Sequence, residues 1–177
     1  MGAGLNRTLE SCHSPEPTEA ILVIGVGNTD RGDDGVGLLV GREVARLGLA
    51  GVDVVESQGD VSQLLELFQR YRTVFVIDAI CSGNPGGTIL CFEANAVPLP
   101  QNFSSGSTHA LGLAVAIDLA QTLKQLPPRL MVFGVVGQDF AVGSRQSAAV
   151  EKAIPEVVAR ISKEIQSFGK TQTDRTR

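Results

Sequence analysis

Short apolar runs alternate along this chain with segments of helical spacing, and this alternation restricts the fold more than any other feature. AILVIGV (20–26) and RLMVFGVV (129–136) are continuous apolar runs, which is typical of strands buried on both faces of a sheet. Three further runs have the length and composition of strands: VDVVE (52–56), TVFVIDA (73–79) and TILCFE (88–93).

In four other segments, apolar residues recur every three or four positions, which predicts a helix in each. These segments cover residues 36–47, 61–68, 111–123 and 150–168, and Ser107 or Thr108 is the predicted cap of the third. Pro155 lies inside the last segment, so we expect a kink or a broken start there. The alternation predicts a three-layer α/β fold, with about five strands in a mostly parallel twisted sheet between helices. The fourth strand follows the third after a short loop, which predicts an antiparallel edge strand or a hairpin partner.

The length of 177 residues indicates a single domain. We expect this domain to cover residues 19–168. The polar residues 1–18 are predicted to form a disordered tail, and residues 169–177 are predicted to form a second, loose tail.

Composition argues against several classes of function. The net charge is −4 and no basic stripe occurs, so we do not expect nucleic acid as a partner. No apolar run approaches the roughly 18 residues of a membrane span, and the N-terminus lacks the apolar region of a secretory signal. Three irregularly spaced cysteines do not form a disulfide framework. We therefore expect a cytoplasmic protein without membrane insertion, and we expect it to be a monomer.

Polar residues that could carry chemistry follow the predicted strands. Asp33 and Asp34 lie in the loop after the first strand, Asp78 ends the third strand, and His109 begins a helix after a long loop. Ligands of such sheets bind beyond the carboxyl ends of the strands, where the strand order reverses. If the first and third strands are neighbours, Asp34 and Asp78 converge there, and His109 could reach them from its own loop.

Each of these residues also has an ordinary structural interpretation. Asp33 or Asp34 could cap a helix, Asp78 could accept hydrogen bonds from a neighbouring loop, and a single histidine at a helix start is often structural. Together, two carboxylates and one imidazole form a plausible set of three metal ligands with an open position. The residues by themselves therefore predict an α/β protein with a candidate metal site, and they go no further.

Other catalytic and cofactor motifs are missing. Asp30 stands where a dinucleotide fingerprint requires the third glycine, and neither a Walker A motif nor a G-x-S-x-G motif occurs, so no nucleotide cofactor is expected. Cys81 follows Asp78 closely and could be a nucleophile, but a nearby carboxylate would raise the pKa of its thiol. We interpret Cys81 as uninvolved in the chemistry.

Three segments of the chain resemble the hydrogenase maturation proteases, and the resemblance covers about residues 20–168. The segments are ILVIGVGNTDRGDDGVG, VFVIDAICSGNPGGTI and STHALGLAVAIDLA. In that family an acidic residue of the first segment, the aspartate of the second and the histidine of the third bind a metal. The resemblance implies these roles for Asp34, Asp78 and His109.

The chain departs from the family pattern in two places. The first acidic position is often glutamate in the family and is Asp34 here, with Asp33 beside it as the alternative ligand. After the second strand, ESQGDV (56–61) replaces an acidic residue followed by Gly-Gly-Thr. That loop is thought to face the substrate, so the second departure concerns which hydrogenase is processed.

The resemblance implies a specific reaction. The protease would remove the C-terminal extension of a nickel–iron hydrogenase large-subunit precursor after nickel has been inserted. Asp34, Asp78 and His109 would recognise nickel that the precursor supplies, and the metal would place the scissile peptide, polarise its carbonyl or activate water.

Three alternatives remain open at this point. Asp34 and Asp78 could share a proton in a metal-free aspartic mechanism. A peptidase of the same fold could act on a different protein substrate. A non-catalytic nickel-binding or nucleotide-binding module could also use this fold, because one fold hosts many functions.

Overall fold

The computed structural model describes residues 17–96 and 108–175, with side chains given for 17–96 and 112–168. The strands are β1 Thr18–Val26, β2 Val52–Ser57, β3 Tyr71–Ile80, β4 Ile89–Glu93 and β5 Arg129–Val136. The helices are α1 Val36–Arg46, α2 Val61–Arg70, α3 Thr108–Thr122 and α4 Ala148–Arg175, and a 3-10 turn, Gly32–Gly35, precedes α1.

The five strands form one sheet in the order β2-β1-β3-β5-β4. Strand β1 pairs in parallel with both β2 and β3, and β3 pairs in parallel with β5. Strand β4 is the antiparallel edge strand beside β5. The predicted mostly parallel α/β sheet is therefore confirmed. The alternative of a hairpin between the third and fourth strands is wrong, because β5 lies between them.

Helices cover both faces of the sheet. Helices α1 and α4 pack on one face against Phe75, Ile77 and Ala79 of β3, whereas α2 and α3 pack on the other against Val74 and Val76. Successive side chains of a strand point to opposite faces. Asp78 is therefore on the face that α2 and α3 cover, which is the face where the helix containing His109 begins.

Glycine allows α1 to begin directly on the backbones of two strands. A Cβ atom on Gly37 would lie 2.2 Å from the carbonyl oxygen of Val26 and 2.4 Å from that of Ile77, at the carboxyl ends of β1 and β3. Only glycine permits so close an approach. This contact brings the 3-10 turn, with Asp33 and Asp34, to the point between β1 and β3 where the strand order reverses.

The last helix, α4, is continuous over 28 residues. Helix α4 runs through Pro155 without interruption, so the predicted alternative of a broken start is wrong. It also continues by backbone to Arg175, past the predicted boundary at residue 169, and the loose tail stays a prediction. The predicted N-terminal tail lies almost wholly outside the described residues. Of the two caps predicted for α3, Ser107 also lies outside them, whereas Thr108 is the first residue of the helix by its backbone. Within the described ranges, no helix combines the length and apolar character that crossing a bilayer requires.

Candidate active site

Asp78 is a buried carboxylate at the carboxyl end of a central strand. Its residue is 0% exposed, and within residues 17–96 and 112–168 no hydrogen bond of normal geometry reaches either carboxylate oxygen. Burial, and secondly the charge of Asp34, raise the pKa of Asp78 well above its usual value of 3.8. The backbone N–H of Ala79 opposes this shift and is the smallest of the three influences. Burial of the charged form of Asp78 is therefore unfavourable among the described residues, and a proton or a cation would make it less so.

Asp34 is the residue that the fold brings to Asp78. It is also 0% exposed, and its charge acts on the pKa of Asp78 across the junction of β1 and β3. Its main chain is held on both sides, because its N–H donates to the carbonyl of Arg31 at 3.1 Å and its carbonyl accepts from the N–H of Asn28 at 3.2 Å. The two aspartates, one in the turn after β1 and one at the end of β3, thus lie near enough in the folded chain for the charge of Asp34 to affect Asp78.

Asp33, the neighbour of Asp34, has different surroundings although it is equally buried. Its Oδ2 accepts from the backbone N–H of Gln138 at 2.8 Å and of Asp139 at 3.1 Å, and its Oδ1 accepts from that of Ser147 at 2.6 Å. Burial would raise the pKa of Asp33, but these hydrogen bonds outweigh it and the pKa is lowered. The carboxylate is therefore stable in its charged form without a metal.

Helix capping does not explain either aspartate. Gly35 occupies the N-cap position of α1, and no side chain makes a cap hydrogen bond there. The capping interpretation is therefore wrong for α1. Asp33 instead binds the loop that precedes α4, residues 137–147.

His109 lies in the first turn of α3, and its side chain is outside the described residues. The helix itself starts near the carboxyl edge of the sheet. A Cβ atom on Gly112 would lie 2.1 Å from the carbonyl oxygen of Gly59, in the loop after β2. The backbone of α3 thus begins on the correct face and at the correct edge, and the contact between His109 and the two carboxylates stays a prediction.

A family profile described as hydrogenase maturation protease matches residues 40–164. This chain belongs to the hydrogenase maturation protease family. The matched region contains Asp78 and His109 and begins after Asp34. As a protease of this family, the protein is a peptidase, which agrees with the resemblance noted in the sequence.

Two individual relatives are similar over most of the chain. The hydrogenase expression/formation protein HupD of Rhizobium leguminosarum bv. viciae is 26% identical over 167 residues, covering 91% of this chain and 81% of HupD. The protein FrxA of Pyrococcus furiosus is 28% identical over 134 residues, covering 73% of this chain and 93% of FrxA.

Solved structures of hydrogenase maturation proteases share the fold. The hydrogenase maturating endopeptidase HybD from E. coli superposes with a TM-score of 0.73 at 22% identity, covering 85% of this chain and 94% of that one. The maturation protease HybD from Thermococcus kodakarensis gives a TM-score of 0.64 at 24% identity, covering 81% and 97%. These likenesses support the architecture of this hydrogenase maturation protease, which over residues 17–96 and 108–175 is a five-stranded mixed sheet with four α-helices.

The donor set in this protease suits a divalent cation of the kind that oxygen and imidazole ligands bind. Two buried aspartates, one of them without a hydrogen bond of normal geometry in the described part of the chain, offer carboxylate oxygens away from solvent. Within the described side chains no group of three His, Cys, Asp or Glu could hold a metal, and His109 is outside that set. The two aspartates could therefore supply two ligands, and a third has to come from elsewhere.

Cys81, which follows β3, is half-buried, and burial raises the pKa of its thiol. The predicted direction of this pKa shift is therefore confirmed, although burial causes it and not a neighbouring carboxylate.

A cavity of about 330 Å³ opens beside the loop after β2. The residues that line it are Leu38, Glu56, Ser57, Gln58, Asp60 and Gln63.

Sequence reasoning missed the contribution of the loop 137–147. Its residues Gln138, Asp139 and Ser147 bind Asp33 across 105, 106 and 114 positions of sequence. They do so with backbone N–H groups, which any residue except proline possesses. No side-chain pattern in this loop could therefore have indicated the contact.

Proposed function

We propose that this protease removes the C-terminal extension of a nickel–iron hydrogenase large-subunit precursor after nickel has been inserted. On this proposal Asp34, Asp78 and His109 bind the nickel, which arrives as part of the substrate. The observation that carries the proposal is the buried carboxylate of Asp78, which is affected by the charge of Asp34 and has no hydrogen bond of normal geometry among the described residues.

Electrostatics explains why such a site would bind a precursor that carries nickel more strongly than one without it. Two carboxylates in a buried setting repel each other, so one of them favours its protonated form until a cation approaches. A nickel ion held by the precursor would supply the missing charge and replace the proton. Binding would therefore be strong only when the precursor carries its metal, which makes the two aspartates a test of whether nickel insertion is complete.

The same contacts would prepare the peptide bond for hydrolysis. Side chains fixed on β3, on the turn before α1 and on α3 would hold the precursor's nickel at one point of the sheet edge. The scissile peptide, attached to the same precursor, would then lie within reach, which is a proximity effect. Polarisation of the carbonyl or activation of a water by the metal are the two chemical contributions that this geometry allows.

A cleavage assay with a nickel-loaded precursor and a nickel-free precursor tests the proposal. The precursor's loss of its extension is followed by its change in mass, without metal added to the reaction. We expect cleavage of the nickel-loaded precursor alone. Cleavage of the nickel-free precursor by a protease that retains stoichiometric zinc would overturn the proposal, because the metal would then belong to the enzyme.

An aspartic mechanism is the second candidate, and the raised pKa of Asp78 favours it. Asp34 and Asp78 would share one proton and activate water without a metal. This candidate predicts that a chelator does not affect the cleavage of a peptide that spans the cut site. The nickel-dependent proposal predicts that such a peptide is not cleaved at all, so one incubation separates the two.

A further inference from the structure

The loop 137–147 is held against the loop after β1 at both of its ends. Gln138, at the start of the loop, and Ser147, at its end, both donate their backbone N–H to the carboxylate of Asp33, at 2.8 and 2.6 Å. One buried side chain thus closes a loop of eleven residues upon itself. The residue is 0% exposed, and both oxygens of its carboxylate accept hydrogen bonds from the loop.

Backbone hydrogen bonds join the same two loops. The N–H of Asp33 donates to the carbonyl of Asp139 at 2.9 Å, so Asp33 is bound to this loop through its main chain and its side chain. The N–H of Gly143, near the middle of the loop, donates to the carbonyl of Asp30 at 2.7 Å. The loop after β1 is therefore held in place by hydrogen bonds to the loop 137–147, more than 100 residues later in the chain.

Asp34 depends on this support because it is the next residue of the same 3-10 turn. Side chains in a 3-10 turn are separated by about 120° per residue, so Asp33 and Asp34 point in different directions. Asp33 points to the loop 137–147, and Asp34 acts on Asp78. A shift of the turn that follows the loss of the Asp33 contacts would move the carboxylate of Asp34 relative to Asp78. Functional constellations tolerate about 0.5 Å of such movement.

We propose that Asp33 is a positioning residue for the proposed nickel site: by holding the loop 137–147 it fixes the 3-10 turn that carries Asp34. This inference rests on the proposed function, since it assigns Asp33 a part in nickel recognition. It differs from a purely structural role, in which Asp33 would stabilise the fold and leave metal affinity unchanged.

The test compares Asp33→Asn with Ile161→Val in the full-length protein. Asparagine keeps the shape of the side chain but replaces one oxygen with an amide NH₂ group, which cannot accept from the backbone donors. Ile161 is a fully buried residue of α4 in the core that α1 and α4 form with the sheet, and its truncation by one methyl group is a matched control for lost stability. For each variant, the Tm and the affinity for Ni²⁺ alone, by titration calorimetry, are measured.

We expect both variants to have a lower Tm and only Asp33→Asn to bind Ni²⁺ more weakly, by about 10- to 100-fold, as for other residues that orient metal ligands. With the nickel-loaded precursor, kcat should fall for Asp33→Asn and remain at the wild-type value for Ile161→Val. If Asp33→Asn does not fold, Ser147→Pro takes its place, because it removes the backbone and side-chain hydrogen bonds of Ser147 to Asp33 and leaves Asp33 itself intact. Ser147→Ala, which keeps the backbone donor but loses the hydroxyl that Val150 N–H donates to, is its control.

The outcomes separate this inference from the proposed function. Equal Ni²⁺ affinity in Asp33→Asn and Ile161→Val would overturn the positioning role and leave Asp33 as an anchor of the fold. Unchanged Ni²⁺ affinity in both Asp34→Asn and Asp78→Asn would overturn the proposed function itself. Loss of affinity in these two variants, together with a smaller loss in Asp33→Asn, supports both.

Discussion

Two buried aspartates at one edge of the sheet differ in every respect except burial. At the junction of the loops after β1 and β5, the carboxylate of Asp33 accepts three backbone hydrogen bonds and its pKa is lowered. At the end of β3, the carboxylate of Asp78 has no hydrogen bond of normal geometry from the described residues, and its pKa is raised.

The contrast between Asp33 and Asp78 shows that burial alone does not reveal the role of an acidic residue. A buried carboxylate that accepts hydrogen bonds can stabilise the fold, because the hydrogen bonds offset the cost of burying its charge. A buried carboxylate without such hydrogen bonds lowers the stability of the folded protein, and groups of this kind are found most often at functional sites. By this criterion we propose that Asp33 supports the site and that Asp78 belongs to it, although the sequence presents both only as aspartates near the ends of strands.

Replacement of Asp78 by asparagine should give the largest effect and the strongest test of this contrast. Asp78→Asn removes a charge that the proposed nickel contact needs, so we expect cleavage of the nickel-loaded precursor to fall on the order of 1000-fold. The variant should be at least as stable as the wild type at neutral pH, because a costly buried charge is gone. Kinetics and thermal unfolding measure the two quantities. A large loss of stability would mean that Asp78 is a structural acceptor like Asp33.

Asp33→Asn and Asp34→Asn should rank in one order by loss of cleavage and in the opposite order by loss of stability. Asp34→Asn should reduce cleavage more than Asp33→Asn does, because only Asp34 is expected to contact the nickel. Asp33→Asn should reduce stability more, by about 2 kcal/mol, because it loses hydrogen bonds to a buried charged group. This corresponds to a Tm lower by about 4–8 °C. If Asp33→Asn has the larger effect on cleavage, Asp33 is the ligand.

The pH dependence of stability should separate Asp33 from Asp78 by sign. The folded pKa of Asp33 is lowered, so its contribution is present above about 3.8 and is lost as the pH falls through the folded pKa. The folded pKa of Asp78 is raised, so the folded state holds a proton that the unfolded state releases. Its effect on stability is therefore unfavourable, and it grows as the pH rises from about 3.8 to the folded pKa.

Denaturant unfolding of the wild type and of the two asparagine variants between pH 3 and pH 8 measures these contributions. Asparagine does not titrate, so each difference from the wild type isolates one aspartate. Difference curves of the same sign for Asp33 and Asp78 would contradict the contrast between them.

Removal of metal should have a small effect on the isolated protein. Two aspartates and one histidine leave an open position, so we expect treatment with a chelator to yield a folded and largely metal-free protein. Its affinity for Ni²⁺ should decrease below about pH 6, where protons compete for a histidine ligand. Elemental analysis and circular dichroism check the two statements. Unfolding on chelation would show a structural metal instead.

Cys81→Ala should have the smallest effect. Burial raises the pKa of this thiol, so little thiolate is present at neutral pH and the residue is a poor nucleophile. We expect the rate of precursor cleavage to remain within about twofold of the wild type, as for a residue outside the chemistry. Loss of cleavage in this variant would indicate a thiol mechanism and would remove Asp78 from the centre of the site.

The sequence predicted the strands and most helix positions because apolar periodicity is a local property. It also predicted that Asp34 and Asp78 would converge, given that the first and third strands are neighbours, and β1 and β3 do pair. It did not predict which strand lies beside β4. That choice depends on how β5, more than thirty residues later, enters the sheet, as the order β2-β1-β3-β5-β4 shows.

From consecutive residues alone, the sequence indicated the α/β architecture and the aspartates that follow its strands, because apolar periodicity and strand ends are local properties. Only the tertiary structure gave Asp33 and Asp34 different surroundings. Two adjacent aspartates have the same chemistry, but Asp33 accepts hydrogen bonds from the backbone of the loop 137–147, whereas Asp34 lies where its charge raises the pKa of Asp78. Those partners lie far along the chain, and three of them act through backbone N–H groups, which no residue type identifies.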